Sequence, residues 1–200
     1  MKSENILGYV FLCFIFLIMI KCYYDSDYFQ LKCIVSDVNG KKYCVRERSK
    51  IQQASDLLAN TTQNMKLLVA HLEKTQTHRP EVQRLIKNFN PDQIKEILPT
   101  SEYTAYSENK GEKIALCLSS KDKKDLNQLI DPNTLMFVAI HEMAHLASKS
   151  IGHNDEFWSN FKFLLKEAVS IQVYTPIDYK KDNEEYCGMQ IKDNPFFDSF

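Results

Sequence analysis

Three histidines and one glutamate lie close together in the second half of the chain: His141-Glu142-Met143-Ala144-His145 and, after seven intervening residues, His153. Two imidazoles four positions apart on a helix stand on one face, about 6 Å from each other. They can therefore share a single tetrahedral ion, for which zinc is the expectation. Glu142, next to the first of them, is angled toward the same open side. There it can take a proton from the attacking water and pass it to a leaving amine, so the chemistry implied is peptide hydrolysis. H-E-x-x-H arises by chance in roughly one chain per hundred of this length, so the motif alone does not decide. Its setting adds weight, because a helix as apolar as Leu135, Met136, Val138, Ala139 and Ile140 make this one gains nothing from two histidines and a carboxylate.

A catalytic zinc ordinarily has three protein ligands and a water. Residues 148–152 can end the helix, with Gly152 in the left-handed C′ conformation, and the reversal would swing His153 back over the metal face. His71 and His78 are each lone histidines on or beside a helix, where a surface or core role is the expectation.

The elements that must position these residues can also be read. Asp131 is placed to cap the metal helix and Pro132 to occupy its first turn. Asn154 or Asp155 can cap a following helix with the apolar stripe Phe157, Trp158, Phe161, Leu164, Leu165 and Ala168. In order and spacing, His141-Glu-x-x-His145 followed by Gly152-His153-x-x-x-Phe157-Trp158 resembles the minimal zincins of the SprT, WLM and YgjP type. The resemblance covers residues 131–168. It implies that His153 is the third zinc ligand and that Phe157 or Trp158 supports it from behind. It also implies that the strand preceding the metal helix borders the cleft as an edge able to pair with an extended substrate. By position that strand is 114–118, for which an ordinary core strand is the competing reading. The segments Tyr103-Thr-Ala-Tyr106-Ser and Tyr186-Cys187-Gly188-Met189 are similar to a membrane-anchored family of large DNA viruses and algae.

The rest of the chain alternates helical and strand-like patterns. Cys33-Ile-Val-Ser, Asn39-Gly40 and Tyr43-Cys44-Val45 read as a β-hairpin, with Cys33 and Cys44 facing each other either as a disulfide or as two thiols. Apolar residues recur at helical spacing over 50–74, and shorter helices are expected at 81–88 and 92–98. Strands are expected at 100–107 and 112–119, then a lysine-rich loop at 121–124. In the tail, Tyr174, Tyr179 and Tyr186 are candidates for oxyanion stabilisation, with packing the favoured reading. Cys187 is either a thiol able to reach zinc or, as expected more often, a buried free one.

The N-terminal run 6–20 is apolar on every face and no small-x-small cleavage site follows it, so residues 1–24 are expected to be a transmembrane signal anchor. Lys32, Lys41, Lys42, Arg46 and Arg48 argue for one topology, the sequon Asn60-Thr61-Thr62 for the other, and the side is left open. A net charge of −1 gives no reason to expect a nucleic-acid partner.

The expected architecture is thus α+β. Residues 1–24 form the anchor and 25–200 a small zincin-like domain, in which the metal helix and a supporting helix pack on a small sheet. The expected function is a single-pass, membrane-anchored zinc metallopeptidase acting on a protein or peptide. An inactive zincin-like interaction or virion structural module is the alternative, and Glu142 discriminates against it, since a purely structural zinc site needs no carboxylate there. A DNA-repair protease would follow from the SprT and WLM resemblance alone, and the anchor and neutral charge count against it.

Overall fold

The computed structural model describes residues 3–24, 31–98, 101–119 and 128–199; the lysine-rich stretch 121–124 lies outside them. It is an α+β protein. Among the described residues there are five α-helices: α1 (Ser3–Tyr24), α2 (Ile51–Thr75), α3 (Pro80–Asn88), α4 (Pro132–Ala147) and α5 (Asp155–Ser170). Three small sheets accompany them. The hairpin β1 (Leu31–Val35) with β2 (Lys42–Arg46) is one and β6 (Glu184–Tyr186) with β7 (Met189–Ile191) another. The third contains β3 (Ile94–Glu96), β4 (Ala105–Glu108) and β5 (Lys113–Leu116), in the order β3-β5-β4.

The expectation of a membrane anchor is overturned. No helix among the described residues is long and apolar enough to cross a membrane. The reason lies in α1 itself: its unbroken apolar run, 6–20, covers about 22 Å at 1.5 Å per residue, against a hydrocarbon core of roughly 30 Å, before Lys21 interrupts it. Two of the basic residues on the C-terminal side of α1 have a structural role. Arg46 and Arg48 are buried around the carboxylate of Glu96, which also accepts the Arg46 backbone N–H at 2.6 Å, and Arg46 Nε donates to the Ile97 carbonyl at 2.8 Å. This ion cluster fastens the first hairpin to β3. The sequon is likewise not on a loop: it lies inside α2, where the buried Thr61 and Thr62 hydroxyls donate to the carbonyls of Leu57 and Leu58.

Helix α2 buries the stripe predicted for it, Ala54, Leu58, Met65, Leu68 and Leu72, against the sheet and the metal helix. In β5 the side chains of Ile114, Ala115 and Leu116 are wholly buried. This strand is parallel to β3 on one side and antiparallel to β4 on the other, so it is a core strand and not the edge. The helix expected at 92–98 exists only as one 3-10 turn, Pro91–Gln93, capped by Asn90, after which the chain extends into β3. Pro91 starts a helix there, but Ile94 and Glu96 are drawn into the sheet by burial and by the arginines.

Cys33 and Cys44 are directly opposed in the first hairpin and disulfide-bonded. Cys187 is not a free thiol, since it is bonded to Cys117 just beyond β5. Cys187 and Gly188 both have positive φ, 53° and 81°, which makes the β6–β7 connection a two-residue type I′ turn.

Helix α4 is capped as the sequence predicts: the Asp131 carboxylate accepts the N–H groups of Asn133 and Thr134, with Pro132 in the first turn. Its other end is finished differently from expectation. Ser148 is extended, and Gly152, though at φ 85°, lies four residues farther on in the loop. Neighbouring elements instead meet the last carbonyls. Arg84 Nε donates to Ala147 O at 2.6 Å, Asn88 Nδ2 to Leu146 O at 3.2 Å and Lys110 Nζ to His145 O at 3.4 Å. A glycine cap has no carbonyls left to serve.

Lys110 reaches this position because the β4–β5 turn is pressed against α3. Gly111 has φ 111°, and a Cβ on it would stand 2.1 Å from the Asn88 carbonyl oxygen. Gly111→Ala is therefore expected to lower stability by about 2–4 kcal/mol, read as a fall in denaturant midpoint at unchanged slope. A midpoint within error of the wild type would mean that the turn does not need this close approach.

Candidate metal centre

His141 and His145 project from one face of α4, and His153 comes back to them from the loop between α4 and α5. The Nε2 atom of His153 is 3.1 Å from that of His141 and 3.2 Å from that of His145. The ligand atoms of the three residues all lie within 4.8 Å of one another, a group that can hold a metal ion. Two nitrogens bound at 2.0–2.1 Å around a tetrahedral zinc are separated by roughly 3.3 Å, so the donor set and its spacing fit that ion. Burial, followed by the proximity of His145 and His153, pushes His141 down to about 3. Burial, followed by His153 and Lys110, pushes His145 down to about 4. Both imidazoles are accordingly neutral at physiological pH, with lone pairs available. His71 pairs instead with Glu167 at 2.8 Å, and His78 is exposed far along the chain; neither belongs to the group.

The wall behind the triad is Phe157. Its ring centroid is 4.8, 4.4 and 4.6 Å from those of His141, His145 and His153, and the side chain is fully buried. Trp158 touches only His153 among them, at 5.8 Å, and Phe161 only His141, at 5.2 Å. Of the two aromatic supports anticipated, Phe157 is the one that contacts all three rings. Helix α5 presents it because Asn154 caps the helix, accepting the Phe157 N–H at 3.1 Å.

Glu142 is 4 % exposed and lines the same cleft as the histidines. Burial raises its carboxyl to about 7, against hydrogen bonds from the side chain and backbone of Ser107 that favour the ionised form. Ser107 lies on β4, and this strand, not β5, borders the cleft. The cleft encloses about 910 Å³, with Ala105, Tyr106 and Ser107 of β4 on one side and Met189, Gln190 and Ile191 of β7 on another. Tyr186 stands in its wall, but its hydroxyl accepts the Cys117 N–H at 2.9 Å and faces the Thr104 carbonyl. Tyr174 receives a hydrogen bond from Asn194, and Tyr179 is buried against Phe137. All three tyrosines are packed, as favoured.

Two residues at the site were not foreseen. Lys110 Nζ donates to the carbonyls of Ser148 at 2.9 Å and Ser150 at 2.6 Å, as well as to His145 O. Glu156 accepts the N–H groups of Lys149 and Ser150, each at 2.9 Å, and the Ser150 hydroxyl at 2.5 Å. The hydroxyl of Ser150, then these N–H groups, hold its carboxyl down at about 2. The only sequence signal for Glu156 was its place three residues beyond His153, in the first turn of a capped helix.

A helix-borne His-x-x-x-His pair, a third histidine from the following loop and a buried glutamate beside an edge strand are the arrangement of the zincin-like proteases. The chain belongs to the WLM family within that class: the WLM domain matches residues 46–196. It is 31 % identical over 166 residues to an uncharacterized protein of Acanthamoeba polyphaga mimivirus, covering 80 % of this chain and 82 % of that one. It is 29 % identical over 135 residues to one of Invertebrate iridescent virus 6, covering 68 % and 72 %. In fold it is similar to a crystal structure of a Wss1 mutant from Saccharomyces cerevisiae, with TM-score 0.50 and 15 % identity over 64 % of this chain and 88 % of that chain.

Proposed function

We propose that residues 25–200 form a zinc-dependent endopeptidase in which His141, His145 and His153 hold the ion and Glu142 is the general base. The observation that carries this reading is the convergence of three imidazole nitrogens in a cleft that also contains a buried carboxylate. A zinc ion held there would act as a Lewis acid toward water and the scissile carbonyl. Glu142 takes the proton of the attacking water and returns it to the leaving amine. Ser107 orients that carboxylate from β4. The substrate is an extended polypeptide segment, laid along the β4 edge by backbone pairing, with apolar side chains against Tyr106, Ile151 and Met189. Ile151 is 90 % exposed and Met189 52 %, so both offer apolar surface at the cleft to such a segment. The inactive-module alternative has no such support: burial raises the Glu142 carboxyl, a cost that a purely structural zinc site has no need to carry.

Zinc titration of the metal-free protein tests the ligand set. Binding is expected at close to one ion per chain, and zinc at a hundred times its dissociation constant raises stability by about 2.7 kcal/mol. His153→Ala should weaken the affinity by about a hundredfold or more, since water alone replaces the imidazole. Unchanged affinity in that variant would remove His153 from the ligand set.

A further inference from the structure

The loop that carries His153 has little of its own to order it. Ile151, Gly152 and His153 are exposed, and no Cβ placed on Gly152 would meet a neighbour within 4 Å. A ligand on such a segment would ordinarily sample many positions, each costing affinity. Yet the polar groups of its first half are bound by two side chains of opposite charge. The Glu156 carboxylate takes the N–H groups of Lys149 and Ser150 and the Ser150 hydroxyl, and Arg84 Nη2 approaches the same carboxylate at 3.3 Å. The Lys110 ammonium places all three of its donors on the carbonyls of His145, Ser148 and Ser150. Ser150 Oγ also lies 3.1 Å from Asn154 Oδ1, which ties the loop to the cap of α5.

From this geometry we infer that Lys110 and Glu156 are positioning residues for the metal site: together they clamp the 148–150 backbone, one through its carbonyls and the other through its N–H groups, fix where His153 stands, and thereby set the zinc affinity. The inference rests on the zinc reading above. Hydrogen bonds to ionised partners are about twice as strong as neutral ones, so five donor–acceptor pairs from two ions are enough to hold a loop that buries almost no apolar surface. Lys110 has a second consequence. It sits in the β4–β5 turn, so the third ligand is registered against the strand along which the substrate is expected to lie.

The experiment is a chelator-competition measurement of zinc affinity on the full chain, using zinc alone as the probe. It is done well below the unfolding midpoints of the metal-free proteins, so that a loss of global stability cannot masquerade as a loss of affinity. Glu156→Gln and Lys110→Met should each weaken zinc binding by about 10–100-fold, and Lys110→Arg should recover part of the loss. In a His153→Ala background the effect of Glu156→Gln should vanish, because Glu156 acts only through His153. Equal affinity in the wild type and both single variants would overturn the inference. So would a Glu156→Gln effect of the same size with and without His153, which marks a merely structural residue. Failure of the unsubstituted protein to bind zinc is a different result: it overturns the metal reading itself and this inference with it.

Discussion

Glu142→Gln is expected to retain one zinc per chain and to lose peptide cleavage by about 10²–10⁴-fold, the usual contribution of a positioned general base, because an amide cannot accept the proton of the attacking water. The same substitution should make the metal-free protein more stable. A carboxyl raised from 4.5 to about 7 in the folded state favours folding only while it is protonated. That contribution is full below the unfolded-state value and is lost as the pH climbs from about 4.5 through 7. Above that window the ionised, buried group opposes folding by about 3 kcal/mol at 1.4 kcal/mol per unit. The glutamine carries no such charge, so the metal-free variant should gain over the wild type at pH 8 and show little gain at pH 4. Cleavage assays beside zinc analysis, with denaturation at the two pH values, decide the matter. Full activity in the variant would overturn the mechanism, and an equal gain at both pH values would remove ionisation as its cause.

Opening the Cys117–Cys187 disulfide is expected to cost the fold about 4 kcal/mol by the chain-entropy relation for its sequence separation of 70. The bond does more than shorten the unfolded chain. It holds the β6–β7 hairpin, with Met189, Gln190 and Ile191 in the cleft wall, beside the end of β5. The hairpin is short, and a non-glycine residue sits at φ 53° in its turn, so it has little stability of its own. Cys117→Ala with Cys187→Ala should therefore lower the unfolding midpoint and raise KM more than it lowers kcat, since Glu142 and the histidines are carried by other elements. The Cys33–Cys44 bridge closes a separation of only 11 inside a hairpin away from the cleft, and its removal should leave KM unchanged. If both double variants gave the same kinetics, the hairpin would not be a binding wall.

The parts of the site that could be read in the sequence are those built by local rules. A cap at Asp131, a proline after it, an i,i+4 histidine pair and a second cap at Asn154 all act over one or two turns, and each stands where the residues put it. Sheet order is not local. Nothing between residues 105 and 118 says which strand lies in the middle; burial of Ile114, Ala115 and Leu116 between two partners decides it, and so moves the cleft edge to β4. Residues 92–98 illustrate competition between levels. Asn90-Pro91 starts a helical turn as its chemistry dictates, and the ion cluster of Glu96 with Arg46 and Arg48, fifty residues away, then overrides it. Lys110 and Glu156 escaped notice because a lysine in a turn and a glutamate at a helix start are ordinary surface residues until the fold brings a backbone to them. The pairing of Cys117 with Cys187 was beyond reach for the same reason, since cysteine spacing does not determine connectivity.

Phe157 leaves the triad with a property that three separately mounted ligands would lack. Because His141, His145 and His153 all lean on one fully buried ring, a shift of that ring would be passed to all three at once. When close-packed neighbours move, they carry each other along. Replacing Phe157 with a smaller side chain would therefore be expected to loosen all three ligand positions together and not one of them alone.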